Sequence, residues 1–459
     1  MAYIAPFRAL RYDPARVDLS RVVTQPYDKI TPEMQSRYYD ASPHNLVRTI
    51  LGKPQPTDHL EENLYTRAAA CFQDWRRQGI LLQDRQQSLY QYIQRFQPPG
   101  GAAELERRGF IALGKIEDYS AGIVHRHEQT LAKPKADRLQ LLRAARAHFG
   151  QIFMLYSDPA GEIDGALSAS SSDTEIGIDI RDEYGVLHKV RRVSDPSLIE
   201  LVRGKMLDQK LIIADGHHRY ETALNYRNER RASSEQAMAE RSSVEPASAE
   251  PASAKSASAE PDLAPYELVM MTFINTDSPG LVILPTHRVV HGLESFSPDT
   301  LRDRARAYFS VEEVDPSIDA ARAVGILRAA GQAGTALLGV TANRAFLFDT
   351  PRALAYSLLQ GLSFRQQALD VVQLHRCLLE GVLGISEEAI RNQDNINYVR
   401  DPAEALARVR TGAANVAFLM NPVRMRQVRD IAFAGDVLPQ KSTDFYPKLL
   451  SGLTIYALE

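Results

Sequence analysis

The sequence predicts a mixed α/β protein. Three observations carry this: short β-branched and aromatic runs bounded by Gly and Pro recur along the chain, segments with apolar residues at helical spacing alternate with them, and 459 residues at 44% hydrophobic content suffice for a large core. That length predicts two or three domains. The expected division is a main α/β domain over 1–300 and an α/β region over 301–459 that lends a loop to the same site.

The first helix is read in "LEENLYTRAAACFQDWRRQGIL", where Leu64, Ala68, Cys71, Phe72 and Trp75 share a face and Gly79 is the stop. "SLYQYIQRF" and "RRGFIALGKIEDY" read as adjacent strands, a hairpin with "QPPGGAAELE" as its loop. Then follow a helix in "DRLQLLRAARAHFG", strands in "KLIIA", "ELVMMTFIN" and "GLVILPTH", a helix in "VVQLHRCLLEGVLG" and a strand in "ANVAFLMNP". From about Ala232 to Asp262 the chain repeats "EPASA" and holds almost nothing large and apolar, so a disordered surface loop is expected there.

A formal charge of -3 gives no global field for gathering nucleic acid or an acidic membrane surface. No stretch approaches the roughly 18 apolar residues of a membrane span, and "MAYIAPFRALRYDP" lacks a leader pattern. Cys71 and Cys377 have no neighbouring Cys at a metal or redox spacing. A cytoplasmic protein with buried thiols, binding neither nucleic acid nor membrane, is expected.

Chemistry concentrates in "IIADGHHRYETAL". A strand ends at Asp215 and Gly216, and helical spacing begins with Tyr220, Ala223 and Leu224, which places His217, His218 and Arg219 at a helix start. The dipole there is positive and the first amides unpaired, so a phosphate would resolve the crowding of cations. In that reading Gly216 permits close approach, Arg219 holds phosphoryl oxygens, a histidine acts as acid, base or charge stabiliser, and Asp215 binds Mg²⁺. The bland alternative makes Asp215 a cap and the histidines surface residues.

In "GIVHRHEQTLAKPKADRLQLL", His125 and His127 share a face if the segment is extended, with Glu128 opposite. Glu128 is a candidate general base, and His127, Lys135 and Arg138 are candidate anion ligands. The alternative is an exposed strand. "LPQKSTDFYPKLLSGL" lacks the Gly-rich lead of a Walker A loop and reads instead as a cationic lip of Lys441, Ser442, Thr443 and Lys448. "LPTHRVVHG" adds His287 and Arg288, and "QPYD" adds Tyr27 and Asp28, each alone more often structural.

The blocks "APFRALRYDP", "QPYDKIT", "SPHNLVR", "YQYIQRF", "HEQTLAKPKADRLQLL", "ADGHHRYETAL", "LPTHRVV" and "PQKSTDFYPKLLSGL" resemble, in order, a bacterial and archaeal family catalogued as domain of unknown function 1015. "ADGHHRYETAL" is also similar to the phosphate-binding box of the ParB and sulfiredoxin fold. Within that fold, ADP-dependent free serine kinases carry a box that aligns with Asp215, Gly216, His217 and Arg219. The resemblance implies a ParB/sulfiredoxin-like phosphate-binding core with additional α/β elements, and serine or phosphoserine as substrate.

The expected function is phosphoryl transfer, as kinase or phosphatase, on a small hydroxylated metabolite, with ADP or ATP as second substrate and Mg²⁺ at Asp215. Positioning and electrostatics dominate such catalysis, which suits a largely cationic candidate set. The rivals are a non-catalytic nucleotide-responsive binding protein of the ParB type, and a metal-dependent hydrolase using His125, His127, His217 and His218.

Overall fold

Alternating apolar residues close the expected hairpin: Leu89–Phe96 runs antiparallel to Leu105–Lys115, with Tyr90 opposite Ile111 and Phe96 opposite Leu105. The computed structural model describes residues 1–101, 103–128, 132–169, 177–244 and 263–459. The hairpin lies in a nine-stranded mixed sheet ordered Val124–His125, Leu211–Asp215, Ile152–Tyr156, Leu268–Asn275, Leu105–Lys115, Leu89–Phe96, Leu187–Val193 and Ile178–Arg181, with Ile4–Ala5 added at Leu105–Lys115. Leu268–Asn275 is buried at every position, as expected of a strand covered on both faces.

A second, six-stranded antiparallel sheet runs Ser310–Val314, Ala345–Asp349, Ala336–Val340, Val416–Met420, His287–Val290 and Ile396–Val399. The mixed α/β class is thus observed. Val289, Leu338 and Leu419 on one face pack with Leu327 of the helix Ala320–Ala330 and Leu406 of Pro402–Arg410. From the other face, Val290, Phe346 and Phe418 join one core with Tyr92, Ile111 and Phe153 of the first sheet, bridged by Phe445, Leu449 and Leu453. Each such fully buried large side chain contributes about 2 kcal/mol of transfer free energy.

Local chemistry accounts for most helices. In Leu64–Arg77, Ala68, Phe72 and Trp75 are buried, Asn63 accepts from the amides of Tyr65 and Thr66 at 2.9 and 3.1 Å, and Gly79 at φ 67° ends the run. One expectation fails. The helix that begins at His217 continues to Val244, so 232–244 is helical rather than disordered, and Ser233 hydrogen-bonds back to the Glu229 carbonyl at 2.9 Å. Ala, Glu, Gln and Arg in "NERRASSEQAMAERSSV" are good helix formers, and extending a formed helix avoids a second nucleation. The rest of the expected loop, 245–262, lies outside the described residues. No described helix is long and apolar enough to cross a membrane.

Residues 438–457 return from the second sheet to the first. Asp444–Tyr446 pairs with Val282–Leu284, Ser451 bridges Thr24, Ile455 bridges Leu10, and Tyr456–Ala457 pairs with Ala147–His148. Two buried arginines hold this return. Arg107 donates to the Tyr446 carbonyl at 3.1 Å, to the Pro447 carbonyl and to Gln94, while Arg288 donates to the carbonyls of Gln440 and Lys441 at 3.4 and 3.2 Å. Removing Arg107 strands these acceptors in the core. Arg107→Ala is expected to lower unfolding free energy by about 3 kcal/mol, measured by chemical denaturation; a loss under about 1 kcal/mol would show the clamp to be dispensable.

Candidate functional site

The strand Leu211–Asp215 hands over to the helix through Gly216 at φ 93°, and the Tyr220 amide donates to the Gly216 carbonyl at 2.9 Å. A Cβ on Gly216 would sit 3.0 Å from Arg219 Nε, so glycine is needed for both backbone angle and space. Arg219 folds back over it, donating to the Gln151 carbonyl and facing Asp215 Oδ2 at 3.3 Å. A carboxylate of the same motif therefore offsets the cation at the helix start, without an added anion. The histidines escape the conflict by staying neutral: burial pushes His217 well below its ordinary value, helped by His127 with its ring centroid 4.8 Å away, and burial lowers His218 as well. His217 is buried, contrary to the alternative of surface histidines.

The return segment closes over this box. Lys448 Nζ lies 3.5 Å from Asp215 Oδ1 and 3.0 Å from Asp444 Oδ1. Burial alone would lower Lys448, yet the two carboxylates hold it raised; burial alone would raise Asp215, yet the charges of Lys448, Arg219 and Lys29 hold it well below the carboxylate range. Thr443 Oγ1 is 2.8 Å from His127 Nε2, and Ser442 donates to the Pro439 carbonyl. Lys441 takes a left-handed φ of 58°, and its amide donates to Glu128 Oε1 at 2.9 Å. Burial raises the Glu128 carboxyl, opposed by that amide and the Lys441 charge.

In front of these residues opens a cavity of about 360 Å³, lined among others by Lys29, Arg400, Arg408, Lys441, Thr443 and Asp444. Asp444 is bound by Arg400 and Lys448, and Arg408 pairs with Glu404 at 2.6 Å. Among the described residues, Lys29 and Lys441 form no ion pair. Burial, then Lys448, lowers the Lys29 ammonium to about 8. Lys29, Arg400, Arg408 and Asp444 were not among the sequence candidates, although Lys29 follows Asp28 in "QPYDKIT".

The remaining candidates lie apart. Lys135 is tied to Glu221 at 2.9 Å, while Arg138 stacks 4.2 Å above Tyr27 and donates to the Ile50 carbonyl at 2.5 Å. His125 does not share a face with His127: the strand stops at His125, whose ring packs on Phe433 at 5.0 Å. His287 and Arg288 alternate across one strand, so Arg288 braces the 440–441 loop while His287 turns to the opposite sheet face, where its Nδ1 accepts from the Met420 amide at 3.3 Å. Both Asp215 oxygens face cations, and among the described residues no three His, Cys, Asp or Glu converge. These residues do not fit a resident Mg²⁺ at Asp215 or a four-histidine metal centre.

Fold and site together define a mixed α/β protein with a cation-lined cleft where the turn of Lys29 and the return segment meet the second sheet. The chain belongs to the family described as Protein of unknown function (DUF1015), whose model matches residues 4–372. The "PQKSTDFYPKLLSGL" block lies beyond that range. No curated protein matches. Among solved structures, the chain is similar to a free serine kinase in complex with AMP (11% identity, 70% of this chain and 83% of that one, TM-score 0.33). It is similar also to a conserved hypothetical protein from Pyrococcus furiosus (11%, 70% and 87%, 0.32) and to SbnI with a C-terminal truncation from Staphylococcus aureus (8%, 74% and 85%, 0.31).

The buried imidazoles set an acid limit on stability. Burial lowers His127 from 6.5 to about 4, so between those values the unfolded chain binds a proton that the folded one refuses. Its contribution is present above pH 6.5 and is lost as pH falls towards 4. His127→Gln should flatten the stability–pH curve in that window by up to about 3 kcal/mol, followed by urea denaturation at stepped pH; an unchanged slope would contradict the buried neutral state.

Proposed function

We propose that this protein is a phosphoryl-transfer enzyme acting on a small hydroxylated metabolite of the serine or phosphoserine class, with a nucleotide, ADP or ATP, as second substrate. The observation that carries the reading is the pair of unpaired lysines, Lys29 and Lys441, facing one cavity beside Arg400 and Arg408. Lys29 is half-buried with Asp444 and Asp28 acting on it without an ion contact, and Lys441 stands exposed beside it; a phosphoryl dianion matches the two ammonium groups in charge and in acceptor number. The substrate class rests on the likeness of Asp215, Gly216, His217 and Arg219 to the free serine kinase box.

In this reading the division at 300 gives way to a site walled by the turn of Lys29, by the second sheet, which takes in His287–Val290, and by the return segment at 441–444. Lys29, Lys441, Arg400 and Arg408 neutralise charge on the transferring group, and Thr443 donates a hydrogen bond. Glu128, raised by burial, takes the substrate hydroxyl proton. Gly216, His217, Arg219, Asp215 and Lys448 form the rigid layer behind. No step runs through a protein-held Mg²⁺.

Lys441→Met is expected to weaken phosphoserine or ADP by about 1.5 to 3 kcal/mol in calorimetric titration while leaving the melting temperature of the free protein unchanged. Equal affinity in both proteins would remove the cleft from the reading. Protons give a second check. With Lys29 near 8 in the free protein, an anion raises it, so binding at that pH takes up protons. A phosphomonoester, with a second pKa of about 6, is already dianionic there and adds nothing. Titrations in buffers of different ionisation enthalpy should show the uptake, and Lys29→Met should abolish it; uptake that persists in the variant would assign it elsewhere.

A further inference from the structure

We propose that the second sheet carries a separate binding site for a small zwitterion of the free α-amino-acid class, in the cavity between the turn 331–335 and Asp370. The cavity measures about 500 Å³ and shares no lining residue with the cationic cleft. It opens at one end of the sheet, where Ala336 lies opposite Asp349 and Leu337 opposite Met420. The proposal stands independently of phosphoryl transfer.

The walls are built rather than incidental. Gly331 admits the side chain of Asn421, whose Nδ2 would lie 2.4 Å from a Cβ at that position, and Asn421 is fixed by donating to the Leu327 carbonyl at 2.7 Å. Arg424 latches the same turn through the Gly331 carbonyl at 2.8 Å. Gln373, 2% exposed, lines the cavity; its Nε2 donates to the Gln367 carbonyl at 2.9 Å, and its Oε1 accepts no hydrogen bond among the described residues.

Charge selects the ligand class. Asp349 and Asp370 face the cavity with Arg424 as its cation, the reverse of the cleft's balance. Burial pushes the Asp370 carboxyl up to about 7, against the Ala336 amide, Arg424 and Thr335. A phosphate or dicarboxylate would meet two carboxylates against one partly committed guanidinium. A neutral polyol brings no positive charge to the two carboxylates. An ammonium group answers Asp349 and Asp370, and a carboxylate on the same small molecule answers Arg424.

The test is calorimetric titration of the full chain with the free proteinogenic amino acids, beside lactate as a hydroxy acid without the amine, glycerol as a polyol and inorganic phosphate. At least one amino acid should bind saturably, and lactate and glycerol should not. Asp349→Asn and Asp370→Asn should each weaken that amino acid about tenfold or more, whereas Lys441→Met, which disables the cleft, should leave it unchanged. Asp349 ends a strand, so its variant guards against misfolding at Asp370. Failure of every amino acid, equal binding of lactate or glycerol, insensitivity to both substitutions, or loss in Lys441→Met would each overturn the proposal; the last would move the amino acid into the cleft.

Discussion

Two guanidinium groups, Arg107 in the first sheet and Arg288 in the second, are buried without an ion pair among the described residues, and each gives donors to two carbonyls of the segment 440–447. Burial lowers them to about 9 and about 10, Tyr92 and Asp215 partly restoring Arg107, and Tyr398 and Glu128 partly restoring Arg288. Burying a cation is costly, and carbonyl dipoles held in place are what make it tolerable. The cost and the constraint are therefore one. Because each arginine is satisfied only when the segment takes one path, the path is specified from both sheets at once, and Lys441, Thr443, Asp444 and Lys448 arrive in register with Asp215 and His127.

The charges they meet form a line of alternating sign: Arg219, Asp215, Lys448, Asp444, Arg400, with successive contacts of 3.3, 3.5, 3.0 and 2.9 Å. Such a line largely neutralises itself and stiffens the floor of the cleft. It also recasts the His-His-Arg sequence. Those residues organise the layer behind the cavity, and the surface that meets solvent comes from distant segments.

What was legible in the sequence follows from this division. Strands such as Leu268–Asn275 and the hairpin at 89–115 are readable because burial on a pleated sheet imposes its own residue pattern. The Gly216 turn is readable because few residues tolerate its backbone angle. The extended helix to Val244 was misread because Ala, Ser and Glu look alike in a loop and on an exposed helix. His287 beside Arg288 was separable in principle, since neighbours on a strand face opposite ways. Arg400 and Arg408 carry no local signal: they matter only because the second sheet docks where it does.

The return segment also places the site in time. Residues after 437 leave the ribosome after every strand of both large sheets, and their contacts with Leu10 and Thr24 reach back to the beginning of the chain. A nascent polypeptide can pair its sheets first, but until those residues emerge, Asp215 lacks the ammonium of Lys448 and Arg107 lacks its carbonyls. Closure of the cleft thus waits on the segment 438–457, and a partly made chain that lacks it, poorly neutralised at its centre, would present itself to cellular proteolysis as unfinished.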